Sequence, residues 1–463
     1  MAHRRPRTIV FLLPAILIVF LLSPANARLQ RVDITAMPKA APISNGADGQ
    51  VVFAQVLWRH GDRSPKHHFP NDKVPESHWT QGGGGLGQLT PEGMKQHVEL
   101  GQKLRARYNE LVSARYTNGE IYVHSTDVNR TIVSAISNMI GFYSAGVAGE
   151  DFPSGLAGWP ASFVPIPIHS SNLETDYVLG CPPDSKHAAE VNEKLRSTKE
   201  YTEAENSNKD FLSKLAGLMG VDEVPLSFVF SVYDTLFIQK IKGVEWPDGV
   251  DEQVFNETRD LAALVDDLND GIGVAAQEGV DFGVELAKID GGPLLTEMIE
   301  RMQAKVRCLE TSGKRSDKEK QMCAFFDPLK YYAYSAHDVT IAALFSTFGF
   351  KTTNYNESGL PHYAACAAVE LLQSKGADDK NVYSIRVVYY PDRQDALDLT
   401  SAVSGCERGC TLDEFVARSK NFTDSDFVKY CEGANGAAVG LTATYTVVAF
   451  FLLIAQWILA SRI

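Results

Sequence analysis

Hydrophobic and polar positions follow two textures along this chain. In the first, short and almost wholly apolar runs rich in β-branched and aromatic residues stop abruptly at polar loops. Val51 to Trp58 is the clearest case, and its near-continuous apolarity predicts a strand buried on both faces. Ile121 to His124, Tyr331 to Tyr334, Ala368 to Leu372 and Tyr383 to Tyr390 predict further strands. In the second texture, apolar residues recur every three or four positions. Thr90-Pro91-Glu92 supplies an N-cap, a first-turn proline and an early acid, opening a helix with Val98, Leu104, Tyr108 and Leu111 on its apolar face. Val339 to Phe348 reads as another helix, directly after His337-Asp338. Between Cys181 and Gly291 the helical texture takes over. It is visible in Asp210 to Met219, in Leu226 to Lys240, and in the spacing of Val254, Leu261, Leu264, Val265 and Leu268.

Strand followed by helix therefore recurs on both sides of a helical stretch. This pattern predicts an α/β fold whose sheet draws strands from both flanking segments, 28–180 and 292–432, with a smaller helical domain inserted at 181–291. No internal repeat is visible, which argues against a solenoid.

The ends have a different character. A basic cluster from His3 to Arg7, the apolar run Ile9 to Leu22 and the small residues Ala25 and Ala27 read as a signal peptide, 1–27, cleaved after Ala27. At the other end, 433–463, a segment from Val439 through Val447 and Trp457 to Ala460 supplies about twenty residues, enough for a spanning helix. That reading makes the chain a single-pass type I membrane protein of the secretory pathway. A glycolipid anchor is the alternative, since small residues from Gly433 to Ala438 precede the apolar tail. Asn-x-Ser/Thr acceptors at Asn256, Asn356 and Asn421 suit a glycosylated, exported domain. A fourth, Asn129, adjoins Arg130, where a glycan would obstruct access.

Seven cysteines in such a chain imply disulfides with one thiol left over. Cys406 and Cys410 are close enough for a local loop, and Cys181 with Cys431 would close a long one. Cys308 with Cys323 would then leave Cys366 unpaired, although spacing alone does not fix connectivity. The formal charge of −13 argues against a nucleic-acid partner, which would call for a basic face. It does not exclude a phosphate substrate, because a few arginines focused in a cleft can dominate locally.

Three separate segments place polar residues just after predicted strands, where open α/β sheets bind ligands. They are Arg59 to Pro65, Asn129-Arg130-Thr131, and His337-Asp338. Arg59, Arg63 and Arg130 offer forked donors that match phosphate oxygens. His60 can act as a nucleophile forming a covalent intermediate, and Asp338 can protonate the leaving alkoxide if nearby phosphate charge keeps its carboxyl protonated. Each residue also has a plainer reading: Asp338 as a helix cap, Arg130 as a surface ion-pair partner, His60 or His337 as a core histidine. His60, His67 and His68 could suggest a metal, but no acidic or cysteine partner stands at ligand spacing, so no metal or other cofactor is expected.

Taken together, Leu57 to Pro65 closely resembles the Arg-His-Gly-x-Arg-x-Pro signature of histidine acid phosphatases, the family that includes the prostatic and lysosomal enzymes. The likeness continues through Gln88-Leu89-Thr90, Gly93, Gln96, Leu100-Gly101, Ser125-Thr126-Asp127, Arg130-Thr131 and Ser335 to Asp338, and the positions of Cys181, Cys406, Cys410 and Cys431 are similar too. The resemblance implies a mixed sheet flanked by helices with a smaller helical domain over the site. It implies a phosphohistidine at His60, phosphate binding by Arg59, Arg63, Arg130 and His337, proton donation by Asp338, and a small phosphate monoester as substrate. Ile238 departs from the pattern, standing where relatives carry a cysteine, which supports Cys366 as the odd thiol. Phytases share the signature, so inositol phosphate hydrolysis is the alternative activity. An inactive membrane-tethered binding protein is the alternative class, and a homodimer is left open.

Overall fold

The computed structural model describes residues 29–433 except 44–48, 161, 183–184, 312, 354–359 and 393–394. The expected signal peptide, the sequon at Asn356 and the C-terminal membrane segment beyond Gly433 lie outside the described residues. Among the described residues, no helix is long and apolar enough to cross a membrane.

Among the described residues, ten strands form two sheets. β1 (Gln30–Asp33) pairs in parallel with β6 (Phe350–Thr353) in a small ribbon. The eight-stranded sheet has the path β10 (Cys410–Thr411), β8 (Asn381–Tyr390), β7 (Cys366–Lys375), β2 (Gln50–Arg59), β5 (Tyr331–Ala336), β3 (Ile121–Thr126), β4 (His169–Ser171), with β9 (Leu397–Asp398) beside β8. β2, β5, β3 and β4 run parallel, whereas β7 is antiparallel to both of its neighbours, β2 and β8, so the sheet is mixed. Val56, Leu57 and Trp58 of β2 are fully buried, as a strand with helices on both faces requires.

Two helices cover one face. α1 (Pro91–Arg107) is capped by Thr90, whose side chain accepts from the Gly93 N–H, and α2 (Asn129–Phe142) packs along it. A Cβ on Gly101 would lie 2.0 Å from the Asn138 carbonyl and one on Gly141 2.0 Å from that of Val98, so the two backbones meet where only hydrogen fits. Tyr108 and Leu111, expected on the face of α1, lie beyond its last residue yet remain buried, because the chain folds back onto the same core. On the other face sit α8 (Phe282–Glu310), α10 (Asp338–Phe348), α9 (Asp317–Phe326) and α11 (Leu412–Ser419).

The helical region comprises α3 (Lys186–Arg196), α4 (Lys199–Ser207), α5 (Lys209–Met219), α6 (Val229–Ile241) and α7 (Glu252–Asn269), closed by α12 (Phe427–Glu432). Its own apolar cluster includes Leu215, Leu226, Val232, Tyr233, Leu236 and Phe255. Two details differ from the sequence reading. The boundary expected at 291 falls inside α8, whose Leu286 and Ile289 belong to the helical cluster while Leu294 and Met298 belong to the sheet's core. Leu264, expected on the buried stripe of α7, is 42% exposed because Leu261, Val265 and Leu268 already fill that face. Cys181 is bonded to Cys431, Cys308 to Cys323 and Cys406 to Cys410, and Cys366 is unpaired and buried.

Candidate active site

The C-terminal ends of β2, β3 and β5 converge because the three strands are adjacent and parallel. The loops leaving them bring together Arg59, His60, Arg63, Arg130, His337 and Asp338. The loop after β2 is pinned from several sides. The His60 N–H donates to the Ala336 carbonyl at 3.0 Å, the Asp62 N–H to Gln96 Oε1 at 2.8 Å, and His97 Nε2 to the Arg59 carbonyl at 3.1 Å. Gly61 lies against Gly93 of α1, where an added Cβ would stand 2.4 Å from the Gly93 oxygen. Trp58 Nε1 donates to Ser335 Oγ at 2.8 Å, which donates to the Thr131 carbonyl at 2.7 Å, tying β2 and β5 to α2.

His60 is 2% exposed, and its Nδ1 stands 2.8 Å from the Gly61 carbonyl. A carbonyl only accepts, so Nδ1 carries the proton and Nε2 keeps its lone pair. Burial, followed by Arg59, Arg63 and Arg130, holds the imidazole pKa well below its ordinary value of 6.5. The neutral ring is therefore favoured below the pH at which an ordinary histidine takes up a proton.

The arginines have donors to spare. Arg59 pairs through Nη2 with Asp338 Oδ2 at 2.9 Å, gives Nη1 to the Pro361 carbonyl and lies 4.3 Å over the Tyr363 ring. Arg63 makes a two-pronged pair with Asp234, Nη1 to Oδ2 at 3.0 Å and Nη2 to Oδ1 at 2.9 Å. Arg130 Nη2 lies 3.5 Å from His337 Nδ1, and His337 Nε2 is 3.2 Å from Thr126 Oγ1. Since guanidinium only donates, His337 accepts at Nδ1 and donates from Nε2. The Nε atoms of Arg59, Arg63 and Arg130 are all buried without a partner among the described residues. Three orphan cationic donors at one place are costly unless an oxyanion completes them.

Asp338 is the first residue of α10 rather than the cap before it. The N-cap is His337, which makes no side-chain cap bond, while Asp338 Oδ1 accepts from the Val339 N–H at 2.9 Å. Burial raises the Asp338 carboxyl, but Arg59 and then Arg63 outweigh it and bring the pKa to about 2. The capping contact and the ion pair coexist, one on each oxygen. Without phosphate the group is a carboxylate.

Asp234, Lys242 and Tyr363 also stand at this cluster, and no motif in the sequence marks them. Asp234 is 5% exposed in α6 amid Val229, Val232, Leu236 and Ile238, and a carboxylate inside so apolar a helix should have signalled a buried cationic partner. Lys242, at the end of the same helix, pairs with Asp62 next door to Arg63. His67 and His68 take no part in the cluster: His67 packs edge-on to Phe228, and His68 Nε2 bonds to the Val74 carbonyl at 3.1 Å. Of the sequons, Asn421 is exposed, Asn256 is half-buried and accepts from Arg259 at 2.9 Å, and Asn129 is exposed next to Arg130.

Residues 50–390 match the model of the histidine phosphatase superfamily (branch 2). The lysosomal acid phosphatase of Homo sapiens is 31% identical over 390 residues, covering 83% of this chain and 81% of the relative. That of Xenopus laevis is 30% identical, covering 87% and 85%, and the prostatic acid phosphatase of Mus musculus is 28% identical, covering 83% and 90%. Among solved structures, Hafnia alvei phytase in complex with tartrate is similar in fold, with a TM-score of 0.56 at 16% identity over 82% of this chain and 98% of the other. With a family match over residues 50–390 and a relative 31% identical over 83% of its length, this chain belongs to the histidine phosphatase superfamily, branch 2.

Proposed function

We propose that this chain is an acid phosphatase that hydrolyses phosphate monoesters through a phosphohistidine on His60, with Asp338 as proton donor. The observation that carries the reading is a buried His60 whose Nδ1 is held on the Gly61 carbonyl, leaving Nε2 as the free ring nitrogen, set among three arginines whose Nε donors have no partner among the described residues. An ordinary histidine would be mostly protonated at pH 5 and useless as a nucleophile. Burial and the arginines keep this one available.

At pH 5 a phosphate monoester is largely a monoanion, because its second pKa is near 6. As its oxygens engage the arginines, the ester's proton passes to the Asp338 carboxylate, whose hold on Arg59 weakens as the guanidinium turns to phosphate. His60 Nε2 then attacks phosphorus, the ester oxygen leaves with the proton from Asp338, and a P–N bond replaces the P–O bond. Water attacks the phosphohistidine with Asp338 accepting its proton, the P–N bond breaks to return His60, and the departing phosphate carries that proton away, which restores the Asp338 carboxylate. No step calls for a metal. The sheet resembles that of phytases, but a likeness at 16% identity speaks for the fold alone. Phosphate release from p-nitrophenyl phosphate at pH 5, with chelator present, tests the proposal, and a folded protein that releases none refutes it.

The location rests on the chain's ends and cysteines. Entry into the secretory pathway suits the three disulfides, which persist in oxidising compartments, and the C-terminal apolar segment is read as a single membrane span with the catalytic domain outside the cytoplasm. Release of activity from membranes by detergent but not by phosphatidylinositol-specific phospholipase C is the expected result, and release by the phospholipase would replace the span with a glycolipid anchor.

A further inference from the structure

The signature loop ends at Pro65, and the next residue, Lys66, is exposed. Its side chain and that of Arg130 border one small space. The Gly87 N–H is held on the Pro65 carbonyl at 2.8 Å, and a Cβ placed on Gly87 would meet Arg130 Nη1 at 3.6 Å and Lys66 Cγ at 3.9 Å. Because Gly87 has no side chain, and at φ +69° does not readily accept one, the space between Arg130 Nη1 and the stem of Lys66 stays open.

An exposed lysine is ordinarily a solvated charge. Lys66 differs in two respects. It has no hydrogen-bond or ion-pair partner among the described residues, although many exposed lysines here do, for example Lys39 with Asp395 and Lys73 with Asp248. It also stands in the field of Arg63, Asp234, Asp338 and Arg130, within electrostatic reach of the arginine cluster. The carboxylates in that set are committed elsewhere, Asp234 to Arg63 and Asp338 to Arg59.

Counting charges shows what Lys66 is free to do. With His60 and His337 neutral and Asp338 carrying the proton it will donate, three arginines less Asp234 leave two positive charges, which match a phosphate dianion. Lys66 is the cation left over. We propose that Lys66, with the Nη1 side of Arg130 across Gly87, forms a second anion subsite that favours phosphate monoesters whose leaving group bears a carboxylate or another phosphate. This assignment rests on the phosphatase reading above and names its substrate class.

The test compares two esters with leaving groups of similar basicity, 4-(carboxymethyl)phenyl phosphate and 4-methylphenyl phosphate, using the full chain and Lys66→Gln, Lys66→Glu and Lys66→Arg variants. The readout is the ratio of the two kcat/KM values at pH 5.5 and low salt. That ratio should fall about fivefold in Lys66→Gln, the worth of a partly exposed ion pair, and further in Lys66→Glu, with Lys66→Arg close to the parent. The parent's preference should also fade as salt is raised. A ratio unchanged in Lys66→Gln and Lys66→Glu would overturn the subsite while leaving the phosphatase intact. Failure of the parent to cleave either ester would overturn the phosphatase reading, and the subsite with it.

Discussion

Arg59 Nη2 and Asp338 Oδ2 are 2.9 Å apart, at the ends of neighbouring parallel strands and both buried. The pair binds the proposed proton donor to a proposed phosphate ligand, so the charge on one sets the protonation of the other. On the proposed mechanism, phosphate arriving at Arg59 would loosen the pair and let Asp338 take up a proton, and phosphate leaving would restore the carboxylate.

Asp338→Asn keeps an oxygen for the Val339 N–H but cannot donate a proton. Its activity on an alkyl phosphate should fall about a hundred- to ten-thousandfold, with a smaller loss on p-nitrophenyl phosphate, whose leaving group needs little protonation. Steady-state rates on both esters check this. Equal losses would mean that the donor lies elsewhere.

His60→Ala should abolish the covalent intermediate. Brief mixing of the parent with labelled substrate and a quench should give an acid-labile, base-stable phosphoprotein, and the variant should give none. Label retained in a folded His60→Ala protein would assign the nucleophile to another residue.

Arg130→Gln should move the acid limb of the kcat/KM profile. Arg130 is one of the cations that depress the His60 pKa, after burial, Arg59 and Arg63. Removing it makes the imidazolium easier to form, so the pKa rises and less neutral His60 is present at pH 5 than in the parent. The limb should shift to higher pH, and KM should rise through the lost phosphate contact. A profile from pH 3 to 7 decides, and a limb displaced towards lower pH would contradict the assigned electrostatics.

The bond between Cys181 and Cys431 closes a span of 250 residues that contains the whole helical region. Replacing both residues by serine should lower stability by about 2–5 kcal/mol, read as a drop in the urea midpoint. Because both cysteines lie in the helical cluster, the loss should appear first as proteolytic cleavage within α3 to α7.

The legible part of this protein was local. Val51 to Trp58 announced a central strand, Thr90-Pro91-Glu92 a capped helix, and the strand-loop junctions at Arg59, Asn129 and His337 the edge where ligands bind, because each signal depends on neighbours a few residues away. The same signals picked out six polar residues that the fold brings together. They did not reveal which ion pairs and ring contacts form, since Arg63 with Asp234, Lys242 with Asp62 and Arg59 over Tyr363 each join segments far apart in the chain. Nor did they reveal that α8 runs through the expected domain boundary, because one helix can serve two cores without a break in its period. The sequence determined which groups could perform the chemistry. Their protonation was decided by the tertiary structure: only the assembled fold buries His60 beneath three arginines and sets Arg59 against Asp338, and pKa values answer to what lies within a few ångströms in space, whatever its distance along the chain.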